Sequence, residues 1–178
     1  IDVLVEAGVV VAVGHTEATL EQTREAFDRG ARMVTHAFNA MPGIHHRDPG
    51  PVVAAFEDER VTLELIMDGK HVHPRVVHLA FGAAPGRIAL VSDAMAAAGF
   101  TDGDYSLGTF TVTVRDGLAM LRGTSTIAGS TVTQDSALRQ AMRDVGIAPA
   151  DAVAALTLTP ARALGLDHEL GLLAPGFA

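Results

Sequence analysis

Four apolar runs, each closed by a residue able to do chemistry, constrain this chain more than any other feature. Residues 9–14 lead to His15, residues 31–36 end on His36, residues 61–67 lead to Asp68, and residues 87–92 lead to Asp93. Each run is short, rich in Val, Ala, Ile or Leu and bounded by glycine or polar residues, as expected of strands covered on both faces. Helical signals fall between them. Residues 3–8 read as the last turn of a helix ended by Gly8. Thr19-Leu20-Glu21-Gln22 has the form of a capping box, and Leu20, Thr23, Phe27 and Ala31 follow helical spacing up to the stop at Gly30. Pro51 opens a short helix through Phe56, and Pro74 opens another carrying Val76, Val77, Leu79, Ala80 and Phe81. Strand and helix thus alternate at intervals of roughly 20–30 residues, the pattern of βα units around a parallel sheet, and the fold class is α/β. Four such units are too few to close an eight-stranded barrel of about 250 residues. They fit half a barrel or a small open sheet.

The texture changes after Asp93. Residues 94–103 form a Gly/Ala-rich loop, and residues 109–114 and 117–121 alternate as two strands about the turn Arg115-Asp116-Gly117, which predicts a β-hairpin. Residues 131–145 and 149–165 are predicted as two helices. In the first, Asp135, Arg139 and Arg143 share a solvated face while Val132, Leu138 and Met142 are available to pack.

Composition removes several function classes. A net charge of −8 opposes non-specific binding to nucleic acid or to an anionic membrane. No cysteine is present, so a transition metal would have to bind through nitrogen and oxygen. No apolar run reaches the ~18–20 residues of a membrane span and no signal peptide is visible, so a cytoplasmic protein is expected. The chain opens at Ile1 without methionine and stops at Ala178 just after a Gly/Pro turn, and a fragment is the expectation.

The residues closing the runs suggest a catalytic site. A lone buried histidine is usually a satisfied core residue. His15 and His36, however, occupy one position on successive βα units, which places both imidazoles at one edge of the sheet, close enough to share a divalent metal. Asp93 could simply cap the next segment, but a carboxylate at that edge also suits proton transfer from an activated water to a leaving group. Arg47 could pair with neighbouring Asp48, a contact of small value on a surface, or present its guanidinium to a phosphate. Asp68-Gly69-Lys70-His71 is either a tight turn alone or a turn that aims His71 at the same edge. His45, His46, His73 and His78 read as solvated or locally bonded, and His168 lies in a C-terminal loop.

Several stretches together resemble a known family. They are Gly14-His15-Thr16, Thr35-His36-Ala37-Phe38-Asn39-Ala40-Met41, Arg47-Asp48-Pro49-Gly50, Asp68-Gly69-Lys70-His71-Val72, Val91-Ser92-Asp93-Ala94 and Ile127-Ala128-Gly129-Ser130. In this order they resemble the N-acetylglucosamine-6-phosphate deacetylases of the amidohydrolase superfamily, over nearly the whole chain. Gly-His-Thr alone would say little; the stretch around His36 and Asn39 followed by Arg47-Asp48-Pro49-Gly50 is quite specific. The resemblance implies the second half of a TIM-type (β/α)8 metal-dependent hydrolase barrel, with a β-hairpin insertion after the last barrel strand and C-terminal helices. Residues 1–170 would hold barrel strands 5–8 and the helices after them, and 171–178 would begin the return to a truncated β-sandwich domain. It further implies that His15 and His36 are ligands of one divalent metal, zinc or iron, and that Asp93 is the catalytic acid/base. Asn39, Ala40 and Arg47 would hold the sugar phosphate, Asp68 and His71 would line the sugar pocket, and Ile127, Ala128 and Gly129 would wall it near the acetamide. The implied reaction is metal-assisted hydrolysis of an amino-sugar phosphate to acetate and an amine, by a homodimer in the full-length form. The family's glutamate ligand has no counterpart in this sequence, Gln134 stands where methionine is common, and Lys70 stands where an apolar residue or histidine is common. A half barrel leaves strand edges unpaired, so the segment alone is expected to be inactive or unstable. Two rivals stand beside this reading: another amidohydrolase, such as a dihydroorotase-like or aminoacylase-like enzyme, which would not need a phosphate site, and a sugar-phosphate-binding protein without catalysis.

Overall fold

Thr19 decides where the first full helix begins. Its side chain accepts a hydrogen bond from Gln22 N at 3.3 Å while the Gln22 side chain accepts from Thr19 N at 2.9 Å, the reciprocal pair expected from the sequence. The computed structural model describes all 178 residues. After a first short helix α1 (Asp2–Glu6), the order is β1 (Ala12–Val13), α2 (Leu20–Asp28), β2 (Met33–Val34), α3 (Gly50–Glu57), β3 (Thr62–Ile66), α4 (Pro74–Ala83) and β4 (Ile88–Val91). The four strands form one parallel sheet in the order β1-β2-β3-β4, each neighbour in sequence also a neighbour in space. Ala12 aligns with Met33, Met33 with Thr62, and Leu63 with Ile88. This common register brings the strand ends, and the residues immediately after them, to one edge.

The core explains the strand lengths. Leu63, Leu65 and Ile66 of β3, Ile88 of β4, and Val52 and Val77 of the flanking helices are fully or almost fully buried in one cluster. At ~25 cal/mol per Å², burial on this scale is the main force holding helices against the sheet. Arg87 ties the layers at the opposite edge: its guanidinium donates to the carbonyls of Ala55, Phe56, Asp58 and Val61, closing the C-terminal end of α3 against the start of β3. Burial pushes the Arg87 pKa down from its ordinary value, and the negative charges of Asp58 and Glu59 offset part of that shift.

The first two strands are shorter than the runs 9–14 and 31–36 suggested. β1 lies at the edge of the sheet with only β2 beside it, and Val9 is 49% exposed, so the expected cover on both faces is missing there. The region after Asp93 also gains a strand. β5 (Gly103–Leu107), β6 (Phe110–Arg115) and β7 (Leu118–Leu121) form a three-stranded antiparallel sheet, of which the sequence predicted only the last two strands. Val112, Val114, Ala119, Met95, Ala97 and Ala128 make a second, smaller core beneath it.

The C-terminal helices are interrupted. α5 (Gln134–Gln140) passes into a π-helical turn over Ala141–Val145 that Gly146 ends with φ 82°. Asp135 and Arg139 pair on the solvated face as expected, but Met142 is 38% exposed rather than packed. The predicted helix over 149–165 is two helices, α6 (Pro149–Ala154) and α7 (Leu158–Ala163). Pro160 is the reason. Lacking an N–H, it fits the first turn of α7 but could not sit in the middle of one long helix. Residues 164–178 form turns without further helix or strand. No helix is long and apolar enough to cross a membrane.

Candidate active site

His15 and His36 leave the sheet together. Their Nε2 atoms stand 2.8 Å apart, with ring centroids at 4.7 Å and planes inclined at 71°. Two features of the backbone bring this about. Gly14 lets β1 and β2 approach so closely that a Cβ there would lie 2.9 Å from Thr35 Cβ. Both histidines then turn off their strands with positive φ, 44° and 31°, in the left-handed region that non-glycine residues seldom occupy. Asp93 comes after β4 with φ 47°, so the three candidate residues share one uncommon backbone state. Such strain gathers where function over-determines the chain.

The residues present fit a divalent ion. Neutral imidazoles offer nitrogen lone pairs, and zinc sits about 2.0–2.1 Å from such a nitrogen. Tetrahedral coordination would need the two Nε2 atoms to spread by roughly half an ångström. His36 is 8% exposed, and its Nδ1 is buried with no hydrogen-bond partner, so this ring's polar contact is made through Nε2 alone. No third His, Asp or Glu joins the two in a three-donor cluster within this chain.

Glu64 is a site residue that sequence reasoning misses, since it passes as part of strand β3. Its Oε2 lies 3.4 Å from the backbone N of His36, and its backbone carbonyl accepts from Ala37 N at 2.8 Å. Burial pushes its carboxyl pKa up, the negative charge of Asp93 adds to that, and the contacts with His36 oppose it. A lone carboxylate inside the apolar run Thr62–Ile66 is the available signal.

The loop after β2 carries Asn39 and Ala40. Asn39 Nδ2 donates to the carbonyls of His36 and Ala37 at 3.2 and 3.3 Å, so its amide nitrogen is engaged locally. The carbonyl of Ala40 accepts from Thr16 N, which joins this loop to the one carrying His15. His36, Phe38 and Ala40 all have positive φ. Within this stretch Ala37 N donates to Glu64 O at 2.8 Å and Asn39 N to His36 O at 3.0 Å, so both N–H groups are engaged locally. Arg47 is exposed. Its Nη1 donates to His46 Nε2 at 2.6 Å and its backbone N to His45 Nδ1, while no ion pair forms with Asp48.

Asp68 and His71 come together more tightly than a simple turn requires. Asp68 Oδ1 accepts from the backbone N–H groups of Lys70 and His71 at 2.9 Å each, and Oδ2 accepts from His71 Nδ1 at 2.7 Å and Ser130 Oγ at 3.2 Å. Burial alone would raise the Asp68 pKa, but these donors more than offset it and hold the carboxyl at about 2. Ser130 is the second residue to which sequence reasoning gives no role. Ile127, Ala128 and Gly129 lead into it, and Ala128 N donates to Ala119 O. Gly129 has φ 67°, and a Cβ there would lie 3.1 Å from the Asp93 carbonyl, so this segment runs directly against the backbone of Asp93.

Comparison with known proteins places the chain in a family. Residues 4–178 match the Amidohydrolase family. The N-acetylgalactosamine-6-phosphate deacetylase of Escherichia coli O157:H7 is 45% identical over 173 residues, 97% of this chain and 46% of that protein. The N-acetyl-D-glucosamine-6-phosphate deacetylase of Mycobacterium smegmatis, solved as a mutant in complex with N-acetyl-D-glucosamine-6-phosphate, superposes with a TM-score of 0.92 at 48% identity, covering 99% of this chain and 48% of that one. The N-acetylglucosamine-6-phosphate deacetylase of Pasteurella multocida gives a TM-score of 0.95 at 32% identity over 99% of this chain and 46% of that one. The chain thus spans about half the length of these relatives. With the match running through both rim histidines, Asp93 and the Ile127–Ser130 segment, the chain belongs to the amidohydrolase family.

Proposed function

We propose that this chain is the second half of a (β/α)8 hydrolase barrel, residues 1–170, with 171–178 leading toward a small β-sandwich domain. The activity proposed for the whole protein is hydrolysis of the acetamide of N-acetylglucosamine 6-phosphate to glucosamine 6-phosphate and acetate. The observation that carries this is the convergence of His15 and His36 Nε2, 2.8 Å apart, at the sheet edge that also holds Asp93. In parallel α/β folds that edge is where chemistry is assembled. His15 and His36 would hold one divalent ion, zinc or iron, with further donors from outside this chain. When bound, the ion supplies Lewis-acid polarisation of the acetamide carbonyl and acidifies the attacking water.

The chain's own residues do the rest. Asp93 takes the proton from the attacking water and returns it to the departing sugar amine, so one carboxyl serves as base and then acid. Ile127, Ala128 and Gly129 wall the acetamide side. His71 faces the sugar ring. Asn39 and Ala40, on the loop whose left-handed turns fall at Phe38 and Ala40, would lie beside the phosphate, and Arg47 would add a guanidinium suited to binding it bidentately. We assign the protein to a small-molecule amino-sugar phosphate rather than to nucleic acid or membrane, and to a homodimer in its full-length form.

Acetate release by the full-length, metal-loaded protein tests this. Turnover of N-acetylglucosamine 6-phosphate well above that of the unphosphorylated sugar is expected; equal rates would remove the phosphate assignment, and no acetate would leave a binding protein. A second reading takes the galactosamine epimer as substrate, the sugar named for the Escherichia coli O157:H7 relative, which is 45% identical. Parallel assays of the two epimeric sugar phosphates separate them.

A further inference from the structure

Asp68 has no capacity to spare for a ligand. Four donors converge on its two oxygens: Lys70 N and His71 N on Oδ1, His71 Nδ1 and Ser130 Oγ on Oδ2. The side chains of His71 and Asp68 are only 6% and 9% exposed. A carboxylate so fully engaged cannot also serve as a sugar-binding acceptor without breaking a bond it already makes. What it can do is orient. A carboxylate on one ring nitrogen of a histidine fixes which nitrogen carries hydrogen and which way the ring faces.

Ser130 ties this pair to the rest of the site. It is 2% exposed. Its Oγ donates to Asp68 and accepts from Val132 N at 3.0 Å. Its backbone does a separate job: Ser130 N donates to Asp93 O at 2.8 Å and Ser130 O accepts from Met95 N at 3.0 Å, as part of a parallel bridge between Ala94 and Ser130. One residue therefore touches the Asp93 backbone through its peptide groups and the Asp68–His71 pair through its side chain. It also comes directly after Gly129, the end of the proposed acetamide wall.

We propose that Ser130 and Asp68 are positioning residues that hold His71 with hydrogen on Nδ1, so that Nε2 alone meets the substrate, as the hydrogen-bond partner of a sugar hydroxyl. A hydroxyl both donates and accepts, so it satisfies Nε2 in either protonation state of the ring. Asp68 then supports the sugar contact without making one. The assignment rests on the deacetylase reading, in which His71 faces the sugar. The ionised state of Asp68, held at about 2, is what such a support requires.

The side-chain and backbone roles of Ser130 separate in experiment. Ser130→Ala removes the Oγ bonds and keeps the peptide links to Asp93. In the full-length protein it is expected to raise KM for the sugar phosphate roughly 10-fold, the scale of one lost hydrogen bond to a charged group, while kcat stays within about threefold. Asp68→Asn presents an amide nitrogen to His71 Nδ1 and is expected to move the ring hydrogen to Nε2. Nitrogen-15 shifts of the His71 ring read this directly and need no turnover. The wild-type protein should show the Nδ1–H pattern and Asp68→Asn the Nε2–H pattern. A wild-type ring carrying hydrogen on Nε2 alone would overturn the proposal without any variant. So would Ser130→Ala with unchanged KM, or one that lowers kcat while sparing KM. If the wild-type protein releases no acetate while the ring pattern is as stated, the deacetylase reading has failed and the positioning of His71 has not.

Discussion

The Nε2 atoms of His15 and His36 stand 2.8 Å apart although 21 residues separate the two along the chain. Neighbouring parallel strands in register and a glycine at position 14 account for the approach. The convergence is the observation on which the proposed metal site rests.

Replacing His36 with asparagine removes one of the two nitrogens. Metal affinity of the full-length protein should fall by more than about 100-fold, beyond what loss of a supporting residue costs. Metal content after dialysis, measured by atomic absorption, is the check. Retention of a full equivalent would show that these two rings are not the ligands.

Asp93→Asn keeps size and shape but cannot accept and return a proton. Activity should fall by roughly 10²–10⁴-fold. Stability should hold, because asparagine tolerates the positive φ of 47° at this position. Asp93→Val should lose activity and stability together, since a β-branched residue fits that backbone poorly. Thermal midpoints of the two variants, measured side by side, separate proton transfer from strain.

Gly14→Ala places a methyl group 2.9 Å from Thr35 Cβ. The strands must part or the side chain must shift, at a cost of about 1–3 kcal/mol. Because His15 is the next residue, the same movement should weaken metal binding. Urea denaturation and a metal titration on one preparation would show whether the two losses go together. Lost stability with intact metal affinity would mean that β1 yields elsewhere.

Asp68 makes a pH-dependent contribution to stability. Its folded pKa of about 2 lies below the ordinary value of 3.8, so the contribution is complete above about pH 4 and disappears as pH falls toward 2. The stability difference between wild type and Asp68→Asn should therefore be constant near neutral pH and shrink over that window. A difference that grows on acidification would contradict the sign.

Arg47→Met should lower kcat/KM for the phosphorylated sugar by about 10–100-fold, the worth of a charge-assisted bond, and leave the slow turnover of the unphosphorylated sugar nearly unchanged. Equal losses on both would place Arg47 in support of the loop rather than on the phosphate.

The parts legible in sequence are those where local pattern and tertiary context agree. β3 and β4 are readable because Leu63–Ile66 and Ile88–Val91 pair along their whole length and bury most of it. The capping box at Thr19 and the prolines opening α3 and α4 act within a few residues, so spacing alone locates them. β5 is not readable, because Gly103-Asp104-Tyr105-Ser106-Leu107 is polar, mostly exposed and held by its pairing with β6. His15 and His36 stand out by their repeated position at strand ends. Ser130 closes a recognisable stretch, but its partner Asp68 lies 62 residues away and the local sequence does not show that contact. Glu64 offers one signal, a lone carboxylate in an apolar run, but its contact with His36 exists only because β3 lies beside β2.

The left-handed turns at His15, His36 and Asp93 carry a cost of their own. At each, glycine would sit more comfortably, by roughly 1–2 kcal/mol, and the histidine or carboxyl group is there in spite of the backbone. A lineage released from its substrate and favoured only for durability would be expected to drift to glycine at these three corners, growing sturdier as it fell silent.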